Sequence, residues 1–254
     1  MKHTLVVALV CSLTIGSVNG THTKQIDDVQ RLLAADFSNL RPGDGLPDEW
    51  ELITISRIPR HTQYTLTDVD GSTVLQAEAK ASMSSLAREI DVDPNATPWL
   101  QWRWKIAQLN GQSDLYSKQG DDFPARVYVL FDYDIMLLPF FERIIMRIAR
   151  AIYGDRLPLA ALCYVWAPED LPDTTAWNAY TNRVRMVVAT SGADEVGQWV
   201  AVERNVRSDY MMAFGEPVPR ITGIALATDT DNTGERSLAW YGDIVFADQT
   251  QQQL

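Results

Sequence analysis

Two acidic clusters stand out among the residues that could do chemistry. Asp121-Asp122 precedes one alternating apolar run, and Asp229-Thr230-Asp231-Asn232-Thr233-Gly234-Glu235 follows another. Paired carboxylates support acid–base catalysis when burial raises the pKa of one of them. Neighbouring residues of a strand point to opposite faces, so Asp121 and Asp122 are not a dyad by themselves. An ion pair from Asp122 to a nearby arginine is the alternative, and Arg126 is expected to make a charge-assisted contact with Asp122, Asp229 or Asp231, since a covered guanidinium needs a partner. Asp229, Asp231 and Asn232 bring the hard oxygen donors that Ca²⁺ takes, with Asp229 and Asp231 as the candidate metal ligands. The segment lacks the glycine and terminal glutamate of an EF-hand loop. A turn closed by Asx hydrogen bonds explains the same composition. The three histidines are His3, His22 and His61, two of them near the N-terminus. That placement argues against a histidine triad or zinc site. Cys163 lies in the apolar run Leu162-Cys163-Tyr164-Val165 and reads as a buried, inert thiol.

A second constellation mixes arginines with aromatic rings. Alternation places Leu100, Trp102, Trp104 and Ile106 on one face and Trp99, Gln101, Arg103 and Lys105 on the other. The same rule sets Ala125, Val127, Val129 and Phe131 against Arg126, Tyr128 and Leu130. It sets Val184, Met186 and Val188 against Arg183, Arg185 and Val187. It sets Leu238, Trp240, Ile244 and Phe246 against Ala239, Tyr241, Asp243 and Val245. The first set of each pair is the expected core. The second brings Arg103, Arg126, Arg183, Arg185, Tyr128, Tyr241 and Trp99 outward, with Tyr164, Trp166 and Trp199 as possible additions. Rings stack on the apolar face of a pyranose, and guanidinium groups hold hydroxyls or carboxylates. An ordinary solvated sheet face is the competing reading. The ligand-binding candidates are Arg103, Asp122, Arg126, Tyr128, Trp166, Asp229, Asp231 and Asn232.

The elements that must position these residues are mostly strands. Period-two patterns run over 50–58, 61–69, 72–80, 98–106, 125–131, 159–166, 183–189, 198–204, 221–228 and 237–246. Asp70-Gly71 marks a hairpin between the second and third of these. About ten strands with turn-rich connections predict a β-sandwich. A short helix is expected at 25–35, a helical turn within 205–214, and an amphipathic helix at 139–153. In that last segment Phe140, Phe141, Ile144, Ile145, Ile148 and Ile152 oppose Arg143, Arg147 and Arg150, a stripe expected to pack on its own domain. Residues 1–20 read as a secretory leader, with Lys2, an apolar stretch and a cleavage pattern at Val18-Asn19-Gly20. The mature chain, 21–254, reads as one domain, periplasmic or secreted, with no membrane-spanning segment after cleavage. The net charge of −11 argues against nucleic acid as a partner.

Several motifs taken together carry a family resemblance. They are Trp102-Arg103-Trp104, Asp121-Asp122, Ala125-Arg126-Val127-Tyr128-Val129, Tyr164-Val165-Trp166, the Thr228–Glu235 acidic segment and Tyr241-Gly242-Asp243-Ile244. From Asp36 to Phe246 the chain resembles the DUF3047 family, bacterial and mostly exported proteins of unknown function. More loosely, Asp36-Phe37 and Tyr241-Gly242-Asp243-Ile244 resemble the terminal strands of galactose-binding-like jelly rolls. That likeness implies an all-β jelly-roll sandwich with a ligand face, a helical insert and, in some members, a structural calcium near these termini.

Together these readings point to an exported, non-catalytic binding protein for a glycan or other polyhydroxylated ligand. A carbohydrate-active hydrolase or lyase using Asp122 with Asp229 or Asp231 is the first alternative. An envelope scaffold docking through the 139–153 helix is the second. A carboxyl separation of about 5–9.5 Å across a cleft would mark the hydrolase.

Overall fold

A computed structural model describes residues 30–132 and 160–250. Among them, thirteen strands build two sheets. The six-stranded sheet runs β11 (Val200–Asn205), β6 (Trp99–Ile106), β13 (Arg236–Ala247), β4 (Ser72–Lys80) and β3 (Gln63–Val69). Strand β1 (Arg31–Ala35) pairs with the C-terminal part of β13. The seven-stranded sheet runs β2 (Trp50–Ile53), β5 (Ser85–Val92), β12 (Ile221–Ala227), β7 (Arg126–Phe131), β8 (Ala161–Ala167), β10 (Val184–Ser191) and β9 (Thr175–Trp177). The chain passes from one sheet to the other between β1 and β2, β2 and β3, β4 and β5, β5 and β6, β6 and β7, β10 and β11, β11 and β12, and β12 and β13. This is the jelly-roll sandwich, all-β apart from one helix and one 3₁₀ turn among the described residues. Helix α1 (Val206–Phe214) is capped by Asn205, whose side chain accepts from Ser208 N at 2.9 Å, and it ends on left-handed Gly215. Both ends follow the usual capping chemistry. No helix among the described residues is long and apolar enough to cross a membrane.

Aromatic packing fixes the core. Trp102 and Trp104 are buried from β6, and Tyr164 and Trp166 are buried from β8. Trp102 stands 5.3 Å from Trp104 edge-on and 5.3 Å from Tyr164. Trp104 and Trp166 are 6.0 Å apart. These are the tilted and edge-on arrangements that aromatic quadrupoles favour. The indole N–H of Trp104 donates to Thr190 Oγ1 and that of Trp166 to the Gly192 carbonyl, so two of these three indoles are also anchored. Strand β8 is buried along its whole length. Its other face, with Cys163 and Val165, is roofed by Leu115 and Phe123 from the long β6–β7 connection. Burial pushes the Cys163 thiol up to about 12, as expected of an inert thiol.

Several expectations need correction. Residues 31–35 form β1 rather than the end of a helix. Leucine and alanine are good helix formers, but propensity yields to tertiary context. A ladder to β13 with Ala34 and Ala35 fully buried outweighs that preference. Strands β5 and β9 escape the period-two pattern, because β5 carries Arg88, Glu89 and Asp91 and β9 is three residues long. Trp240 is not in the core. The β13–β6 register shifts between Tyr241 and Ile244, so Ala239 and Tyr241 point inward before the bulge and Ile244 and Phe246 after it, as an extra residue in one strand requires. Tyr241 therefore faces the core, not solvent, and Tyr164 and Trp166 also face it from β8, which is buried throughout. The Asp70-Gly71 hairpin is present, with φ of 57° and 81°. A two-residue loop between β3 and β4 calls for such positive φ at both positions. The leader at 1–20 and the helix expected at 139–153 lie outside the described residues.

Candidate functional site

The predicted groove residues separate into three places. Trp166 is in the core. Arg103 lies on the outward face of the six-stranded sheet. The remaining six, Asp122, Arg126, Tyr128, Asp229, Asp231 and Asn232, gather with Asp121 where β7 begins and β12 ends.

That gathering is a saturated polar knot around Arg126. The residue points away from the core, as alternation requires, but the β6–β7 connection covers it and only 1% remains exposed. Its Nε donates to Asp229 Oδ1 at 2.9 Å and its Nη2 lies 2.8 Å from Asp229 Oδ2. This is the bidentate fork of an arginine on a carboxylate. Nη1 donates to Asp121 Oδ1 at 3.1 Å and to Tyr128 Oη at 3.4 Å. Nη2 also donates to the Asp121 carbonyl, and the guanidinium lies 4.8 Å from the Phe123 ring centroid. Burial works against this charge, but Asp229, Tyr128 and Asp121 more than restore it and hold the Arg126 pKa well above its ordinary value. The expected arginine partner is thus Asp229, joined by Asp121 rather than by Asp122.

Asp122 has another task. Its Oδ2 accepts from the backbone N of Thr233 at 2.6 Å and from Thr233 Oγ1 at 2.8 Å, and its Oδ1 accepts from Asn232 Nδ2 at 3.0 Å. It ties the turn after β12 to the β6–β7 connection. Asn232 Oδ1 in turn accepts from Tyr180 Oη at 2.9 Å. Burial pushes Asp229 up to about 7, with Arg126 opposing the push and Asp122 and Asp121 adding to it. Asp231 is raised for the same first reason, then by Asp122.

Asp122, Asp229 and Asp231 each bring a carboxylate oxygen within 4.8 Å of the others, a donor set of the type that Ca²⁺ takes. Sequence reasoning proposed Asp229 and Asp231, and the fold adds Asp122. Two of the three carboxylates are already engaged, however. Both Asp229 oxygens meet Arg126, and both Asp122 oxygens accept from the turn. A dication would have to compete with a guanidinium for the same carboxylate.

The second surface is open. Across the six-stranded sheet, Lys105, Trp240 and Gln76 stand side by side on β6, β13 and β4. The Trp240 indole N–H donates to Gln76 Oε1 at 3.0 Å, and Lys105 Nζ lies 5.7 Å from the Trp240 ring centroid, within reach of a cation–π attraction. Two residues along β6, the exposed Arg103 places its guanidinium 4.7 Å from the Trp199 ring centroid and donates to Ser72 Oγ at 3.3 Å. Trp199 donates to Asp70 Oδ2 at 3.3 Å, so the β3–β4 hairpin tip reaches over this face. Trp240, Trp199, Trp99, Lys105 and Gln76 are all half-buried, leaving ring and polar edges open to solvent. Alternation had assigned Arg103, Lys105 and Trp99 to an outward face. It missed Trp240 and Gln76. The signal that could have found Trp240 is Gly242, since a glycine inside a strand pattern marks a bulge.

Comparison with known proteins adds the following. The model of a family described as "Protein of unknown function (DUF3047)" matches residues 48–245. No curated protein matches the chain. Among solved structures, the chain is similar to a family 30 carbohydrate-binding module of the cellulosomal cellulase Cel9D-Cel44B of Clostridium thermocellum. The identity is 11%, the match covers 88% of this chain and 99% of that one, and the TM-score is 0.38.

Proposed function

The chain belongs to the DUF3047 family, and from the geometry above we propose that it is an exported, non-catalytic protein that binds a glycan or another polyhydroxylated ligand. The ligand lies on the outward face of the six-stranded sheet, against Trp240 and Trp199, with Arg103, Lys105 and Gln76 around it. One observation carries this reading: two half-buried indoles are each held beside a cation on the same strand face. Indoles bury the C–H face of a sugar ring, while a few fixed polar groups orient its hydroxyls. The leader pattern at residues 1–20 supports a periplasmic or secreted location.

The test is calorimetric titration of the mature chain with a panel of oligosaccharides. We expect binding to at least one of them, and Trp240→Ala and Trp199→Ala each to weaken it by about tenfold, about 1.4 kcal/mol, with the fold intact. Unchanged affinity in both variants would refute the placement. Export is tested by the N-terminal sequence of protein recovered from the native envelope, which should begin near Thr21.

The hydrolase reading finds less support. Its carboxylate oxygens approach within 4.8 Å of one another. Those oxygens are already held, on Asp229 by Arg126 and on Asp122 by the turn at Asn232 and Thr233. Asp122 and Asp229 are also buried, with no exposed surface between them at which a glycosidic bond could sit.

A further inference from the structure

We propose that the outward face of the six-stranded sheet selects acidic sugars, with Arg103 and Lys105 receiving the anionic groups of a glycan whose rings lie against Trp199 and Trp240. The proposal rests on the binding reading above and names the ligand class of that same face.

Charge accounting motivates it. The chain has 33 acidic and 22 basic residues, so an arginine or lysine on its surface has acids in excess around it. On this face the acids are held by other donors. Glu78 pairs with Lys80 at 2.5 Å. Glu203 Oε2 accepts from Gln101 Nε2 at 2.8 Å. Asp243 accepts from Ser38 N at 2.9 Å and Ser38 Oγ at 2.6 Å, and Asp70 accepts from Trp199. Arg103 and Lys105 make no ion pair among the described residues. Each lies beside an indole instead.

That arrangement suits an incoming anion. A guanidinium has five N–H donors. Arg103 gives one to Ser72 Oγ at 3.3 Å. The others lie in the guanidinium plane, where a carboxylate is received bidentately. Gly242 makes room for this pose. A Cβ at that position would lie 2.6 Å from Arg103 Cγ and 2.8 Å from Nε, so the arginine stem crosses β13 where the strand has no side chain. Arg103 and Lys105 are two residues apart on one strand face, which sets their stems about 6.6 Å apart by strand rise. A glycan with charges on successive rings can meet both, whereas a single carboxylate meets one.

The test compares tetragalacturonate, its methyl ester, cellotetraose and a sulfated chondroitin tetrasaccharide on the mature chain, by calorimetry. We expect the carboxylated or sulfated probe to bind at least about tenfold more tightly than the neutral ones, with affinity falling as salt rises. Tetragalacturonate carries carboxylates only, and the chondroitin probe carries carboxylates and sulfates, so tighter binding of the second marks a contribution from sulfate. Arg103→Gln and Lys105→Gln should each erase most of the preference with unchanged melting, and Arg220→Gln, beside β12 of the other sheet, should not. Equal binding of the ester and the acid, or a preference that survives both substitutions, overturns the acidic-sugar proposal and leaves the binding reading standing. Failure of all four probes, with the chain folded, overturns the acidic-sugar proposal. Failure across the wider neutral panel as well overturns the binding reading.

Discussion

Replacing Arg126 with methionine tests the buried knot most directly. Methionine keeps most of the bulk and removes the charge. The variant loses the fork to Asp229 at 2.9 and 2.8 Å, the contact to Asp121 at 3.1 Å and the contact over the Phe123 ring. It leaves Asp229 buried without its cation. Removing one partner of a buried pair costs about 3–5 kcal/mol, because the remaining charge stays desolvated. Asp229 can relieve part of this by taking a proton, which places the expected loss near pH 7 toward about 3 kcal/mol and the loss at higher pH toward about 5. For a domain of this size each kcal/mol moves the midpoint by about 2–4 °C, so melting should fall by roughly 6–20 °C. Urea unfolding followed by tryptophan fluorescence reads the difference, and the m-value should not change. A loss under about 0.5 kcal/mol at unchanged m would refute the claim that the knot holds the β6–β7 connection down.

Further outcomes follow from the same structure. Asp229 is held at about 7 when folded against 3.8 ordinarily, so the folded chain keeps a proton that the unfolded chain releases. Its contribution is fully present below about pH 4 and is lost as pH rises through about 7. Asp229→Asn should remove this component from a urea series between about pH 4 and pH 8, and an identical slope in both proteins would count against it. Gly120→Ala should cost about 1–3 kcal/mol in the same assay. A Cβ there would lie 2.7 Å from the Gln112 carbonyl and 2.8 Å from Asp114 N, both backbone atoms. Asp209→Ala should destabilise by about 2–4 kcal/mol in the urea assay, since it leaves buried Tyr164 Oη and part-buried Arg204 without their shared acceptor.

Much of the architecture was legible from alternation alone. The faces of β6 and β7 follow from period two, and the β3–β4 hairpin follows from Asp70-Gly71. These are local signals, because the pleat and the turn depend on neighbouring residues. The partner of Arg126 was legible as a type, since a covered guanidinium needs a carboxylate, and Asp229 was among the residues named. Strand β1 was not legible, because its Leu and Ala residues gain their strand conformation only by pairing with β13. The phase of β13 was not legible either. The register shifts at Gly242-Asp243, and a single step of that kind exchanges the two faces of a strand. Trp240 therefore moves from the expected core to the outer face, and Tyr241 moves inward.

For the site, the sequence by itself determined the chemistry available: carboxylates in two clusters, arginines among aromatics, one buried thiol and almost no histidine. Only the tertiary structure decided which of these meet. Asp121 and Asp122 lie far along the chain from Asp229 and Asn232, and strand order brings the two clusters together around Arg126. The same strand order sets Trp240 from β13 beside Lys105 from β6. Residue type fixes what a side chain can bind, but whether it is spent inside the protein or left open depends on contacts between strands distant in sequence. Those contacts saturate Arg126 in a buried knot and leave Arg103 exposed on a sheet face, although both arginines occupy the non-core phase of a strand.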